Sequence, residues 1–123
     1  HVLGEHEGPA QIRKNYRQDT VKPIQAGHVI TDEPGIYVKG KFGVRIENCL
    51  LCVAAQETDF GRFLKFEPLT LCPYDRKLVA AEMLTRDERR WLNNYHERVK
   101  EVLMPLLANE REKAWLEKAT LAI

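Results

Sequence analysis

The sequence lacks the features that mark membrane proteins and nucleic-acid-binding proteins. Its longest apolar stretch runs from Cys49 to Ala55, far short of the about 20 residues that a helix needs to cross a bilayer. Neither sign of charge dominates, because 19 Lys and Arg residues nearly balance 18 Asp and Glu residues. Without a net basic field, a nucleic-acid partner is not expected. We therefore expect no membrane partner and no nucleic-acid partner.

Cysteine is also scarce, with only Cys49, Cys52 and Cys72 in the chain. An odd and sparse set argues against a disulfide framework and favours a reducing compartment, here the cytoplasm. Cys49 and Cys52 form a CxxC pair, but a strand places residues three apart on opposite faces. No second CxxC or His pair is at hand to complete four zinc ligands. We interpret these residues as buried thiols.

What is present is the composition of a globular protein. The chain has 123 residues, of which 44% are hydrophobic and 30% are charged. That length suits one compact domain or a piece of a larger one. His1 opens the sequence and a motif-like segment follows at once, so we expect the chain to be part of a longer polypeptide.

The first two thirds of the sequence read as strands. Pro34 and Gly35 interrupt the pattern, and Pro68 favours an edge strand or a bulge. A polar loop is predicted over 56–61. Alternation and β-branched residues predict strands over 28–33, 36–38, 42–55 and 63–71.

The last third changes to a helical period. Thr85 and Glu88 fit a capping box at the start of an amphipathic helix, and Pro105 should kink or end that helix near residue 104. Asn109 could cap a second helix anchored by Trp115 and Leu116. Strands followed by helices predict an α+β fold, an antiparallel sheet covered on one side by C-terminal helices.

Glu33 and Glu47 are the carboxylates most worth attention. Glu47 follows Ile46 in a predicted strand, where a buried carboxylate needs a partner or a metal. Arg45 lies on the same strand face, so a salt bridge or simple exposure would also explain Glu47. Glu33 could be only a turn residue before Pro34. If 33 and 47 lie on adjacent antiparallel strands, however, their side chains converge and would need a proton or a cation between them. Such oxygen ligands favour Mg, Ca or Mn.

The histidines are less informative. His6 lies in a loop bounded by Gly and Pro, between Glu5 and Glu7, where it should stay partly protonated near neutrality. It could equally be an ordinary exposed loop residue. His28 and His96 we interpret as structural.

Taken together, the motifs closely resemble the pita-bread metallopeptidases, and within them the Xaa-Pro aminopeptidases (aminopeptidase P). The family's VHEGP loop appears as Glu5-His6-Glu7-Gly8-Pro9, with Glu5 in place of Val. Its TDEPG segment stands at 31–35 and its G-[IV]-R-I-E-N strand at 43–48. The tail resembles the larger members through the FEPLTLCP stretch at 66–73 and the WLNNYH stretch at 91–96.

This resemblance implies a fold and a site. Residues 1–123 would form the C-terminal portion of the catalytic pita-bread domain, with a helical extension over about 74–123. The family holds two divalent metal ions, usually Mn(II), with Zn and Co as alternatives. Glu33 and Glu47 match metal ligands, with Glu47 near the proton-shuttling role. His6 matches a catalytic residue that contacts substrate, and Arg45 matches a residue that orients Glu47.

The same resemblance implies what is missing. The two Asp ligands of the family lie well upstream of this sequence, and the His ligand falls about four residues before His1. With a shorter loop, His1 itself could be that ligand. We therefore expect this chain alone to be inactive as a peptidase and to bind metal weakly.

The activity implied for the parent protein is metal-dependent release of the first residue from peptides with Pro in second position. Prolidase, methionine aminopeptidase and creatinase share the fold, but the FEPLTLCP and WLNNYH stretches argue against them. A non-catalytic binding module, like the histone-chaperone relatives, is the other alternative. Such relatives typically lose ligands, whereas Glu33 and Glu47 are both present. A homodimer is expected from the family.

Overall fold

The structure, a computed structural model, describes residues 22–123. The chain divides into two compact units, of which one ends at Thr70 and the other runs from Leu71 to Ile123. Among the described residues, the first unit contains five strands and the second contains two α-helices. Strands precede helices along the chain, which confirms the predicted α+β class.

The strands of the first unit are β1 Val29–Asp32, β2 Gly35–Val38, β3 Phe42–Arg45, β4 Asn48–Thr58 and β5 Gly61–Pro68. They form two antiparallel sheets. One sheet has three strands in the order β1-β4-β5, and the other pairs β2 with β3. Because β5 lies at the edge, Pro68 at its end removes no bond from a central ladder, as predicted.

The prediction of one strand over 42–55 is wrong, because pairing stops between Arg45 and Asn48. The Ile46 N–H donates to the carbonyl of Pro34 at 3.3 Å. Proline has no N–H with which to return that bond. The ladder therefore breaks at this point, and residues on either side of the break belong to different sheets.

The predicted loop over 56–61 is also wrong, since β4 continues to Thr58. The pairing of β4 with β5 shifts register between Ala54 and Gln56. A bulge of this kind absorbs one extra residue and lets the ladder continue. The polar residues of this stretch are exposed, so their polarity reflects a solvent-facing strand end.

A tight turn joins β2 to β3. The Lys41 N–H donates to the Val38 carbonyl at 3.0 Å, and Gly40 has a φ of 71°. A three-residue hairpin loop places one residue in this left-handed region, where glycine has no steric penalty. The turn sets the register that pairs Val38 with Phe42.

The second unit is built on helices α1, Arg86–Leu103, and α2, Glu110–Ala119. The predicted capping box is present, because the Glu88 N–H donates to Thr85 Oγ1 at 3.3 Å and the Thr85 N–H donates to Glu88 Oε2 at 2.8 Å. Asn109 caps α2 by accepting from the Arg111 N–H at 2.8 Å. Pro105 lies in the 3₁₀ turn Met104–Leu106 that follows α1, which confirms that α1 ends there.

Tyr95, Val99 and Leu116 form the core of the second unit. Leu116 anchors α2 as predicted, but Trp115 is 61% exposed and does not. Successive residues on a helix point about 100° apart, so only one of these two neighbours can face the core. In the described part of the chain, no helix is both long enough and apolar enough to cross a membrane.

Candidate functional site

The break between the two sheets places Glu33 opposite Glu47. Asp32 pairs with Asn48 on one side of the break, and Gly35 pairs with Arg45 on the other. Both pairs follow the same antiparallel register. Continued across the break, this register places residue 33 opposite residue 47. The structure therefore brings together the two carboxylates that the sequence singled out.

Arg45 lies between these carboxylates. Its Nε is 3.0 Å from Glu47 Oε2 and 3.9 Å from Glu33 Oε2. The two carboxylate oxygens are thus separated by at most the sum of these distances. The salt bridge between Arg45 and Glu47 is one of the explanations of Glu47 that the sequence left open. The contact of Arg45 with Glu33 shows in addition that the two carboxylates converge.

A tyrosine missed by sequence reasoning holds Arg45. The guanidinium of Arg45 hydrogen-bonds the hydroxyl oxygen of Tyr37, and this bond is the main reason why the pKa of Arg45 is raised above its ordinary value. Attraction to Tyr37 and to Glu47 acts in the same direction. The sequence signal that could have pointed to Tyr37 is strand alternation. It places Tyr37 on the same strand face as Gly35, and Gly35 pairs with Arg45.

Two glycines make room for the Tyr37 ring. A Cβ at Gly35 would lie 2.6 Å from the Tyr37 hydroxyl oxygen, and one at Gly43 would lie 2.8 Å from ring atom Cδ1. Both distances are far below van der Waals contact, so any larger residue would displace the ring. The ring therefore lies flat across the hairpin and directs its hydroxyl toward Arg45.

Glu33 has a second contact, on its other oxygen. The hydroxyl of Thr31 donates to Glu33 Oε1 at 3.2 Å. Thr31 belongs to β1, where it pairs with Cys49. Sequence reasoning assigned Thr31 no role, although it shares a strand face with Glu33 at a separation of two residues.

Carboxylate oxygens are the ligands that hard divalent cations prefer. Glu33 and Glu47 supply oxygens of this kind close to each other. Their side chains are 42% and 35% exposed, so a cation can reach them. Within residues 22–123, however, no cluster of three or more His, Cys, Asp or Glu side chains could hold a metal ion. The two carboxylates therefore fit part of a metal site.

The remaining site predictions have different outcomes. His6 and His1 lie outside the described residues. His96 is fully buried in the second unit, where its Nε2 accepts from the Tyr74 N–H at 3.1 Å. That contact agrees with a structural role.

Comparison with known protein families finds two matches. Residues 1–54 match the model described as metallopeptidase family M24, and residues 62–123 match the model of the C-terminal region of peptidase M24. Glu33, Arg45 and Glu47 lie inside the first match. The second match covers β5 from its second residue onward and the whole helical unit.

Two similar proteins illustrate the relationship. Aminopeptidase P1 of Arabidopsis thaliana is 45% identical over 118 residues, which cover 94% of this chain and 18% of that protein. Xaa-Pro aminopeptidase 1 of Dictyostelium discoideum is 43% identical over 122 residues, covering 94% of this chain and 19% of that protein. The chain thus spans about a fifth of the length of the relatives it matches.

A solved structure shares the fold. The X-prolyl aminopeptidase of Caenorhabditis elegans, described as a cytosolic enzyme with a di-nuclear active site, superposes with a TM-score of 0.72 at 37% sequence identity. The similarity covers 81% of this chain and 17% of that chain. This likeness confirms the fold expected from the sequence motifs.

Proposed function

Because the chain belongs to metallopeptidase family M24, we propose that it is the C-terminal part of an Xaa-Pro aminopeptidase. The parent protein would release the first residue from peptides with Pro in second position. The observation that carries this proposal is the convergence of Glu33 and Glu47 on Arg45, at the break between the two sheets. The relatives named aminopeptidase P or Xaa-Pro aminopeptidase support the same activity.

The metal-binding role of this site follows from its carboxylates. Glu33 and Glu47 would supply part of the ligand set for two divalent ions, in keeping with the di-nuclear site described for the Caenorhabditis elegans enzyme. We propose Mn(II), with Zn and Co as alternatives, since carboxylate oxygens suit Mn(II). When bound, such ions activate water for peptide hydrolysis. The upstream part of the parent protein would supply the other ligands.

The side chains around the carboxylates have separate tasks. Arg45 orients Glu47 through the 3.0 Å contact to its Oε2, and Tyr37 holds Arg45 in that position. Glu47 would also accept and release a proton during hydrolysis, because it is a partly exposed carboxylate with one oxygen held and the other available. His6 would hydrogen-bond the substrate carbonyl oxygen.

Domain limits, location and assembly complete the proposal. Residues 1–123 would be the C-terminal portion of the catalytic domain, with the helical extension over about 74–123. A cytoplasmic location is supported by the three unpaired cysteines and by the cytosolic neighbour. The parent protein is expected to form a homodimer.

A binding module without catalysis is less well supported. A module that has lost catalysis has no need to hold two carboxylates within reach of one guanidinium, and repulsion between them would favour their loss. A prolidase would differ in accepting dipeptides, so the length of the substrate distinguishes it from the proposed enzyme.

The test is hydrolysis of an Xaa-Pro-Xaa tripeptide by the full-length protein with Mn(II), beside an Xaa-Ala-Xaa control. We expect cleavage of the Pro peptide only. Glu47→Gln should reduce the rate by more than about a hundredfold, since removing even an outer partner of a ligand costs about 10- to 100-fold.

Glu57→Gln is the matched control, because Glu57 is an exposed glutamate near the far end of β4, the strand that begins just after Glu47. It should leave the rate unchanged. Failure to cleave with Mn(II), Zn(II) or Co(II) would instead favour the binding module. Cleavage of Xaa-Pro dipeptides in preference to tripeptides would favour a prolidase.

A further inference from the structure

The carboxylate of Glu33 is held at both of its oxygens by different kinds of donor. Oε2 faces the Arg45 guanidinium at 3.9 Å, and Oε1 accepts from the Thr31 hydroxyl at 3.2 Å. The hydroxyl is thus the closer of the two. Glu47, in contrast, has its 3.0 Å contact with the guanidinium. The two carboxylates are therefore oriented by different means, one chiefly by a neutral group and the other by a charged one.

Thr31 is well placed to hold a neighbouring side chain. Its backbone is fixed by pairing with Cys49 in the three-stranded sheet, and its branched Cβ restricts the hydroxyl to few rotamers. Glu33 lies beyond the end of β1, and its carboxylate stands on a longer and more flexible side chain. Ordering a Glu side chain costs up to about 2 kcal/mol of rotamer entropy. A contact that already orders the Glu33 side chain therefore strengthens the binding of a ligand to its carboxylate.

A neutral donor has an advantage beside a cation site. A guanidinium orients a carboxylate but also repels an incoming metal ion, whereas a hydroxyl carries no net charge. Its single O–H occupies one lone pair of Oε1 and leaves the other free to bind a cation. Thr31 can therefore orient Glu33 without competing with the metal.

We propose that Thr31 is a positioning residue for metal binding, which acts through Glu33. This role rests on the proposed function, because it requires Glu33 to be a metal ligand. It predicts that loss of the hydroxyl weakens metal binding while peptide binding stays the same. A group that orients a metal ligand typically contributes about 10- to 100-fold to metal affinity.

The test compares Thr31→Val and Thr31→Ser in the full-length protein, with free Mn(II) measured by electron paramagnetic resonance during titration. Valine keeps the shape and removes the hydroxyl, whereas serine keeps the hydroxyl. We expect Thr31→Val to weaken Mn(II) binding by about tenfold and Thr31→Ser to stay near the original protein. At saturating Mn(II), the KM for the tripeptide should not change in either variant.

Thr31→Ala provides a second comparison at the smaller size of serine, in case valine disturbs the strand. Thr58→Val is the matched control, because its hydroxyl lies at the far end of β4 beside the β4–β5 turn. It should leave Mn(II) affinity unchanged.

Two results would overturn the role of Thr31. The role is excluded if removing the hydroxyl leaves the Mn(II) affinity unchanged in both pairs, Thr31 against Thr31→Val and Thr31→Ser against Thr31→Ala. It is also excluded if Thr31→Ser weakens Mn(II) binding as much as Thr31→Val does. Either result leaves the proposed function intact if the original protein binds Mn(II) and cleaves the Pro peptide. An original protein that does neither overturns both proposals.

Discussion

The core of the helical unit and the β2–β3 hairpin of the strand unit differ in how far their apolar residues are buried. In the helical unit, Val99 is 0% exposed and Leu116 is 1% exposed. On the β2–β3 hairpin of the strand unit, the apolar residues stay largely exposed, for example Ile36 at 65% and Phe42 at 60%. Within this chain, the helical unit therefore buries apolar side chains in a core of its own, whereas the hairpin is held mainly by backbone pairing.

The proposed site includes residues of this exposed hairpin. Along β2 and β3, one face carries the apolar residues Ile36, Val38, Phe42 and Val44. The alternate positions carry Tyr37 and Arg45 and form the face that we call the site face. The site face is thus set by strand alternation and register rather than by a core. This contrast predicts that substitutions in the helical unit change stability and that substitutions on the site face change activity.

The largest expected effect is on the core of the helical unit. Leu116→Ala should lower the free energy of unfolding by about 2–5 kcal/mol, because it leaves a cavity beside Tyr95 and Val99. Hydrogen exchange of the α1 and α2 amides in the full-length protein measures this loss. Leu106→Ala is the control, since Leu106 is 74% exposed and its truncation should cost far less. Equal losses in the two variants would remove the distinction between a buried and an exposed leucine.

The next effect concerns the site face. Tyr37→Phe removes the hydroxyl that bonds Arg45 and should lower kcat/KM by about tenfold, while hydrogen exchange of the helical unit stays the same. Arg45→Lys, which keeps the charge but loses Nε, should have a similar effect. If Tyr37→Phe altered unfolding rather than kcat/KM, the hydroxyl would be a structural group and the contrast between the units would weaken.

A smaller effect is expected at the start of α1. Thr85→Ala removes the cap and should cost about 1 kcal/mol of stability in the helical unit. Thr85→Ser keeps the oxygen that accepts from the Glu88 N–H and should cost little. The measurement is the chemical denaturation midpoint. No difference between Ala and Ser would show that water replaces the capping oxygen at no cost.

The smallest expected effect depends on pH. Burial is the main cause that lowers the pKa of His96, and the nearby Arg76 adds to it. The folded state therefore takes up a proton less readily than the unfolded state, so stability is present above the ordinary histidine pKa of about 6.5 and falls as the pH drops below it.

His96→Gln tests the origin of this pH dependence. Unfolding of the helical unit between pH 7 and pH 5 should be less dependent on pH in the variant than in the original protein, because glutamine has no proton to gain in this range. Identical slopes would mean that other groups cause the dependence.

Much of the local structure could be predicted from the sequence because its causes are local. Thr85 and Glu88 lie three residues apart and cap each other, and Pro105 ends α1 through its own ring. The predictions that are wrong required knowledge of a distant residue. The break after Arg45 depends on Pro34 across the ladder, and the extension of β4 depends on the bulge at Ala55 against β5.

The site divides in the same way. Glu33, Arg45 and Glu47 could be selected because they stand in short motifs, and their family could be recognised from the order of those motifs. Tyr37 and Thr31 were missed because neither motif spacing nor composition distinguishes them from ordinary strand residues. Their contacts are made across the hairpin or along one strand face, where only the side-chain directions reveal a partner.

The sequence by itself determined the class of fold, the capped helices and the identity of the two carboxylates, since each depends on residue type and short spacing. Only the tertiary structure decided that Glu33 faces Glu47, that Arg45 lies between them and that Tyr37 and Thr31 hold the group. The physical reason is register. A strand shifted by one residue would turn every one of these side chains to the opposite face, and that register is set by the Gly40 turn and the pairing of whole strands.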